Sequence, residues 1–390
     1  MRVLEVTTSY PRYRGDFPGI FNFRLDRELV QKGFDVTVLA PEAYGYPTEE
    51  TMDGVKVKRL KYFWPSNLQQ LAYGGGMKHN VFTKPWLIIQ IPVMLMVFFG
   101  NIIFRSREYD LLHCHWLPLG LLGVLAKPLI KKPVVISLWG TDYRDLPRWF
   151  GRFVVSRADA VVSSATETSK YLESIGCLDF EWIPTPIDEN EFDPTKTPTD
   201  ILDEFKIGDR KVVTFIGRLD PLKDPQTFVE SVPHVIKKRG DVMFFLVGGG
   251  DMIEDLRLRA NHLGVRDHII FTGSRTDVAR ILRVSSLFTA LSPAENTWST
   301  SIAEAMFMDV PLILTDVGHT AEFFTHLVDS YIIPPKDPKR LAEAIVYLLD
   351  NPDVGEKLVE GSRNLLKKSG KRRGIIVGNT IKLYNRMINK

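Results

Sequence analysis

The stretch from Ser292 to Thr315, SPAENTWSTSIAEAMFMDVPLILT, combines residue types at a spacing suited to holding an anion. The apolar run Leu287 to Leu291 reads as a buried strand, the Ser, Asn and Thr residues after it as a loop, and Ile302 to Met308 as the first turns of a helix. A strand, a polar loop and a helix in that order bring backbone N–H groups and the positive end of a helix dipole to one place. Glu304, one turn inside the helix, reaches a neighbouring hydroxyl pair. The combination suits a sugar nucleotide, with diphosphate at the helix start and ribose beside the carboxylate. A surface loop followed by an amphipathic helix fits the same residues, because helix N-termini bind many anions.

Such a site needs a scaffold, and length and composition bound it. A chain of 390 residues exceeds what one core usually serves, so two domains are expected. A hydrophobic share of 44% with 25% charged residues is that of an ordinary globular protein, which excludes disordered and collagen-like classes. Cys114 and Cys177 show no metal-ligand spacing and are too few for a disulfide framework, which points to a reducing compartment. Met1 to Ala40 reads as strand, loop, helix and strand with charges throughout, so no signal peptide is expected there.

The opening is a βαβ unit: strand Arg2 to Thr7, loop Tyr10 to Phe21 punctuated by Pro11, Gly15, Pro18 and Gly19, helix Phe23 to Lys32, strand Asp35 to Ala40. Its glycines miss the dinucleotide fingerprint, which argues against a nicotinamide oxidoreductase, yet such a loop beyond a strand's carboxyl end is where open sheets hold ligands. Alternation resumes with strand Leu111 to His115, a helix from about Gly120 to Leu129, strand Val134 to Leu138, loop Trp139 to Asp145 and strand Ala160 to Ser163. Trp182 to Pro194, rich in proline and acid, reads as a linker. A second α/β domain begins at Lys211, with strands Val212 to Ile216, Met243 to Val247, Ile269 to Phe271, Leu287 to Ala290 and Pro311 to Leu314. Two doubly wound domains in tandem offer a cleft for a two-substrate reaction.

Two segments stand outside that alternation. Pro85 to Phe104, PWLIIQIPVMLMVFFGNIIF, is long enough to span a bilayer at 1.5 Å per residue. Its prolines, Gln90, Gly100 and Asn101, and the βα units on both sides, speak against spanning. A helix packed in the sheet layer and a partly exposed apolar face dipping into a membrane remain open alternatives. Residues 361 to 390 hold nine Lys or Arg and no Asp or Glu, which suits anionic lipid or nucleic acid, or simply a solvated helical tail.

The ordered set FIGRLDPLKD (Phe215 to Asp224), FLVGGGD (Phe245 to Asp251), FTGS (Phe271 to Ser274), EAM (Glu304 to Met306) and DVG (Asp316 to Gly318) resembles the retaining GT-B glycosyltransferases of family 4. The opening GDFPGIF, the DLLHCHW of Asp110 to Trp116 and the GTD of Gly140 to Asp142 agree with it, and the resemblance covers essentially the whole chain. It implies an α/β protein of GT-B type: two Rossmann-like doubly wound domains facing across a cleft. Residues 1–188, with a crossover helix at about 371–390, would form the acceptor side, and residues 189–370 the nucleotide-sugar side. Arg218 and Lys223 would stabilise charge on the leaving diphosphate as catalytic cations. Gly19, Gly217, Gly248, Gly273, Ser274, Glu295, Asn296, Trp298, Ser299, Thr300, Ser301 and Glu304 would line the donor. Gly15, His115, Trp139 and Asp142 would stand on the sugar and acceptor side. No metal is expected, since no DxD-type dyad is present and the cations would do its work.

Two departures fall on the sugar subsite. The family usually has a His before the GTD-like string, where this chain has Trp139, and a Glu where it has Asn296, with Glu295 one residue early. An altered sugar or acceptor is the expectation, since Trp can stack on a sugar and Asn can bond hydroxyls. His113 or His115 could supply the missing imidazole, or be core histidines at a strand end. The resulting expectation is a retaining transferase acting by front-side displacement, with the leaving diphosphate as base. Its partners would be a nucleotide sugar and a glycan or lipid-linked acceptor, with peripheral membrane contact through 85–104 and the tail, and no nucleic acid. The expected location is cytoplasmic, at the inner membrane face where that contact is made. A GT-B sugar-nucleotide epimerase and a non-catalytic binding homologue are the competing classes.

Overall fold

The structure is a computed structural model that describes all residues except 17, 75, 140–142, 144–145, 295–298, 319, 371 and 390, and the side chain of Thr166. The chain divides into two compact units: Met1–Pro186 with Arg373–Lys390, and Ile187–Arg372.

The first unit runs β1 (Arg2–Val6), α1 (Ile20–Gln31), β2 (Asp35–Pro41), β3 (Glu49–Met52), β4 (Val55–Leu60), α2 (Met77–Thr83), α3 (Gln90–Phe104), β5 (Leu111–His115), α4 (Leu117–Ile130), β6 (Val134–Leu138), α5 (Arg148–Val155), β7 (Ala160–Ser163), α6 (Thr166–Ser174) and β8 (Glu181–Trp182). Its eight strands lie in the order β3-β4-β2-β1-β5-β6-β7-β8, all parallel except the β3–β4 hairpin. β5 and β6 are buried at every residue, as in strands covered on both faces, although β5 reads LLHCH and carries two histidines. The hairpin was not legible as such: VKVKRL in β4 alternates, and its edge partner EETM is short and charged.

The second unit runs α7 (Ile201–Glu204), β9 (Lys211–Ile216), α8 (Pro225–Ile236), β10 (Val242–Val247), α9 (Ile253–His262), β11 (Ile269–Gly273), α10 (Val278–Val284), β12 (Leu287–Ala290), α11 (Thr300–Phe307), β13 (Leu312–Thr315), α12 (Thr320–Phe323), β14 (Tyr331–Ile333), α13 (Pro338–Asp350) and α14 (Pro352–Lys368). Its six strands are parallel in the order β11-β10-β9-β12-β13-β14. Caps set helix starts: Asp224 accepts from Thr227 N with Pro225 at the first helical position of α8, and Asp337 does the same for α13 ahead of Pro338. α15 (Arg373–Ile388) then returns to the first unit, where Ile376, Val377, Leu383, Tyr384 and Met387 join the core of α1, β1, β2 and β5.

The apolar segment divides its faces. Pro85–Ile89 forms a 3₁₀ turn ahead of α3, and Leu87, Met94, Phe98 and Ile102 are buried in the core against α4 and the sheet. Ile88, Ile89, Met96 and Phe104 are exposed, Phe104 at 83%. Pro85–Phe104 is long and apolar enough to cross a membrane by length and composition, with 28% of it buried in its unit.

Candidate active site

In the second unit the strand order reverses between β9 and β12, so the loops leaving their carboxyl ends diverge and open a crevice where such sheets bind ligands. The loop after β9 carries Gly217, Arg218 and Lys223. The Arg218 side chain is 60% exposed, with its guanidinium 3.1 Å from Asp220 Oδ2. Lys223 runs back over Gly217, its Cγ 3.7 Å from where a Cβ on that glycine would stand.

Three loops lie side by side here. Gly217 N donates to Val247 O, Leu219 N to Gly249 O, and Gly248 N to Gly273 O, each at 2.9 to 3.0 Å. A Cβ on Gly248 would fall 1.8 Å from the Gly217 carbonyl oxygen, and one on Gly250 2.4 Å from that of Leu219. Those two glycines are required by backbone laid on backbone, which fixes where Arg218 emerges. Gly273, at φ 68°, has open space about its missing Cβ, and Ser274 beside it is exposed.

The loop after β12 is tied to its neighbours by hydroxyls: Ser292 Oγ donates to Leu222 O, and Thr315 Oγ1 donates to the Ser292 carbonyl, both at 2.7 Å. Ser299 caps α11 by accepting from Ile302 N at 3.4 Å, and its hydroxyl lies 3.2 Å from that of Ser301. The N–H groups of Thr300 and Ser301 precede the first internal bond of the helix, and no acidic side chain stands in its first turn, so the local field is positive. Glu304 lies one turn inside, 8% exposed.

In the first unit the order reverses between β1 and β5. The loop after β1 turns on Gly15 and Gly19, both with positive φ, and Arg12 is bonded to Asp16 through Nε at 2.6 Å and Nη2 at 3.0 Å. Beneath it lies a buried polar network. His115 Nδ1 faces Trp139 Nε1 at 2.8 Å, and because indole N–H only donates, that nitrogen accepts. The ring proton is therefore on Nε2, which donates to Glu5 Oε2 at 2.8 Å. Tyr384 of α15 donates to Glu5 Oε1 at 3.3 Å and lies 2.6 Å from His113 Nδ1, whose Nε2 meets Ser137 Oγ at 2.7 Å. Burial opposes ionisation of Glu5, but hydrogen bonds from both histidines overcome it and hold its carboxyl well below the usual range. Asp26 goes the other way: burial, then the charge of Glu5, push it well above the carboxylate range, so it carries a proton and accepts from Tyr10 at 2.7 Å. Burial and His113 together lower His115, which stays neutral. Glu5, His113 and His115 have metal-ligating chemistry and converge within 4.8 Å. Their atoms are bonded to one another and to Trp139, Ser137 and Tyr384, and the 2.8 Å between His115 Nε2 and Glu5 is a hydrogen bond.

The sequence model of the family described as glycosyl transferases group 1 matches residues 210–351, and that of the glycosyl transferase 4-like domain matches residues 23–179. The chain belongs to the group 1 glycosyltransferases. Similar proteins include a GDP-mannose-dependent phosphatidylinositol monomannoside mannosyltransferase of Mycobacterium tuberculosis, 26% identical over 90% of both chains. Another is a UDP-Gal:GlcNAc-diphosphoundecaprenol galactosyltransferase of Escherichia coli, 22% identical over 70% of this chain and 76% of the other. Among solved structures, sucrose-phosphate synthase of Thermosynechococcus elongatus aligns with TM-score 0.78 over 100% of this chain and 99% of that one, at 17% identity. Anabaena HepE with UDP-glucose aligns with TM-score 0.76 over 99% and 100%, at 16% identity. The fold is GT-B, and the group 1 glycosyltransferase uses a nucleotide sugar.

Within this transferase, Gly217, Arg218, Lys223, Gly248, Ser299, Thr300, Ser301 and Glu304 lie on the loops and helix start around the second unit's crevice, and Gly273 and Ser274 border it. Asp142, Glu295, Asn296 and Trp298 lie outside the described residues. Two expectations are corrected. His115, fully buried with both ring nitrogens engaged by protein, is a core histidine and offers no imidazole to a substrate; His113 is 3% exposed and likewise engaged. Trp139 is 6% exposed, packed against Phe21 and His115 with its N–H committed, so its face is largely covered. Glu5, Asp26 and Tyr384 carry little signal in the sequence; a carboxylate between the apolar Leu4 and Val6 of RVLEV was the one available.

Proposed function

We propose that this enzyme transfers a glycosyl group with retention from a nucleoside-diphosphate sugar to a lipid-linked or membrane-proximal acceptor. The observation that carries the reading is the cationic crevice at the β9/β12 reversal, with exposed Arg218, Lys223 alongside and the Ser299-capped start of α11 converging beyond the strands' carboxyl ends. Arg218, Lys223 and the N–H groups of Thr300 and Ser301 would hold the diphosphate, Glu304 the ribose, and Gly273 with Ser274 would flank the base. As the bond between the sugar's anomeric carbon and phosphate oxygen breaks, charge grows on the leaving diphosphate where these fixed donors stand. The acceptor oxygen bonds to the same face of that carbon, and its proton passes to the departing phosphate oxygen. The cations do what a divalent ion does in other transferases, so the reading requires no metal.

The acceptor part of the reading is supported by the exposed apolar face of 85–104, by the basic tail, and by relatives whose named acceptors are lipid-linked. The test is a thermal-shift and turnover panel of nucleoside diphosphates and their sugars on the wild type and Arg218→Ala. At least one nucleoside diphosphate raises the wild-type melting temperature and the variant responds less, with turnover lower by about 10²- to 10³-fold. No stabilisation of the wild type, or an equal response of the variant, overturns the assignment.

A further inference from the structure

At the end of the second unit's sheet opposite the crevice lies a groove of about 770 Å³. Lys211 at the start of β9, Leu287 at the start of β12 and Pro311 just before β13 line it, so the length of the sheet separates it from the loops at the strands' carboxyl ends. Leu348 and Leu349, near the end of α13, add to an apolar floor. One wall is α14, which lines the groove from Pro352 to Lys367.

The residues of α14 divide by face. Leu358, Ser362 and Leu366, four residues apart, are buried against the unit. Glu356, Glu360, Arg363 and Lys367, spaced four, three and four residues apart, form an exposed stripe along the groove. Neighbours four apart on that stripe carry like charges, two acids and then two bases, which weakens an isolated helix by about 0.2 to 0.5 kcal/mol per pair. The helix dipole favours acids in the first turn and bases in the last, but Glu360 and Arg363 stand in the middle turns, beyond its reach. Arg363 is held in place by donating to Asp309 Oδ1 at 2.5 Å and Oδ2 at 2.6 Å, and its side chain remains 54% exposed.

The order of charges has a symmetry of its own. Read backwards with signs inverted, the stripe repeats itself: Glu356 is matched by Lys367 and Glu360 by Arg363, both pairs centred between Gly361 and Ser362. Two copies of α14 laid antiparallel about a twofold axis at that centre bring every acid of the stripe against a base of the other chain. We infer that this face binds a second copy of the same chain, α14 against α14. Glu356 then meets Lys367 of the partner subunit and Glu360 meets Arg363 of the partner subunit, each contact occurring twice, while the apolar strip of Leu349, Pro352 and Val359 closes beside them. The contact lies at the amino ends of the second unit's strands and leaves their carboxyl ends open, so it needs neither donor nor acceptor to form.

Light scattering on the full chain tests it. The wild type has twice the 44.4 kDa mass of one chain, and it dissociates as salt is raised, because exposed charge pairs are screened. Glu356→Lys and Lys367→Glu each turn two contacts into like-charge ones, since the axis repeats every contact, and each weakens the dimer by about tenfold or more. Within one chain the two positions are about 16 Å apart along the helix and do not meet. In an equal mixture of the two single variants, and in the chain carrying both changes, every acid again faces a base, and the dimer returns to within about threefold of the wild-type affinity. Mixing does not repair a damaged fold, so the mixture distinguishes a lost contact from a weakened helix. A wild type that stays monomeric, single variants that dimerise as the wild type does, or a mixture as dissociated as its components overturns the interface.

Discussion

Replacing Gly19 by Ala probes whether the loop after β1 sets the geometry of transfer. The residue has φ 68°, where an alanine costs about 1 kcal/mol relative to glycine. Its new Cβ would stand 2.2 Å from the Ser9 carbonyl oxygen, so loop and helix must part by about 1 Å to reach ordinary contact distance. Neither side yields freely. Ser9 O accepts from Thr7 Oγ1 at 2.9 Å, and Gly19 O accepts from Asn22 N and Phe23 N at 3.0 and 3.2 Å. A displacement of about 1 Å in groups that position reactants typically lowers turnover by about 10²-fold. The measurement is nucleoside diphosphate release from the nucleotide sugar that the thermal-shift panel selects. Turnover should fall by about that factor while stabilisation by the nucleoside diphosphate, which the proposed site would hold in the second unit, is unchanged. Turnover within about threefold of wild type, in a variant that melts normally, would refute a positioning role for this loop.

Two further outcomes follow from groups outside the crevice. Asp26 has a raised pKa in the folded state, so its contribution to stability is present in full below its unfolded value of 3.8 and is lost as pH rises towards the folded value. Asp26→Asn keeps the acceptor for Tyr10 but removes that loss. It should match the wild type near pH 4 and gain on it by about 1.4 kcal/mol per pH unit above, until the folded pKa is passed. Melting curves across pH with a constant difference between the two proteins would sink the protonated assignment. On the apolar segment, Met96→Glu and Phe104→Glu, at positions 64% and 83% exposed, should leave the fold intact and reduce flotation with anionic vesicles by about tenfold each. Equal flotation of the variants and the wild type would remove this face from membrane contact.

Where sequence and structure part company, range of interaction is the reason. β6, β9 and β10 were legible because strands covered on both faces are largely apolar runs, a property each segment carries by itself. β3, β4 and β14 were not, since a short charged edge strand, an alternating strand beside it and a three-residue edge strand have little of that signal. The crevice was readable for a related reason: Arg218, Lys223, Ser299 and Glu304 sit in loops or helix starts that directly follow strands, so the order of elements alone sends them to one edge of a sheet.

By itself, then, the sequence determined the alternation of strands and helices, the loops that follow their carboxyl ends, and the membership that an ordered set of motifs carries. Only the tertiary structure decided that His115 faces Glu5 and Trp139 and not a substrate, and that Tyr384, 379 residues from Glu5, completes their network. It also decided that the glycines of FLVGGGD are required by neighbouring loops, and that Arg12 stands among tyrosines drawn from the loops at 13, 46 and 73. Each of these depends on which side chain meets which across strands far apart in the chain, and hydrophobic periodicity, which reports burial, does not encode the partner.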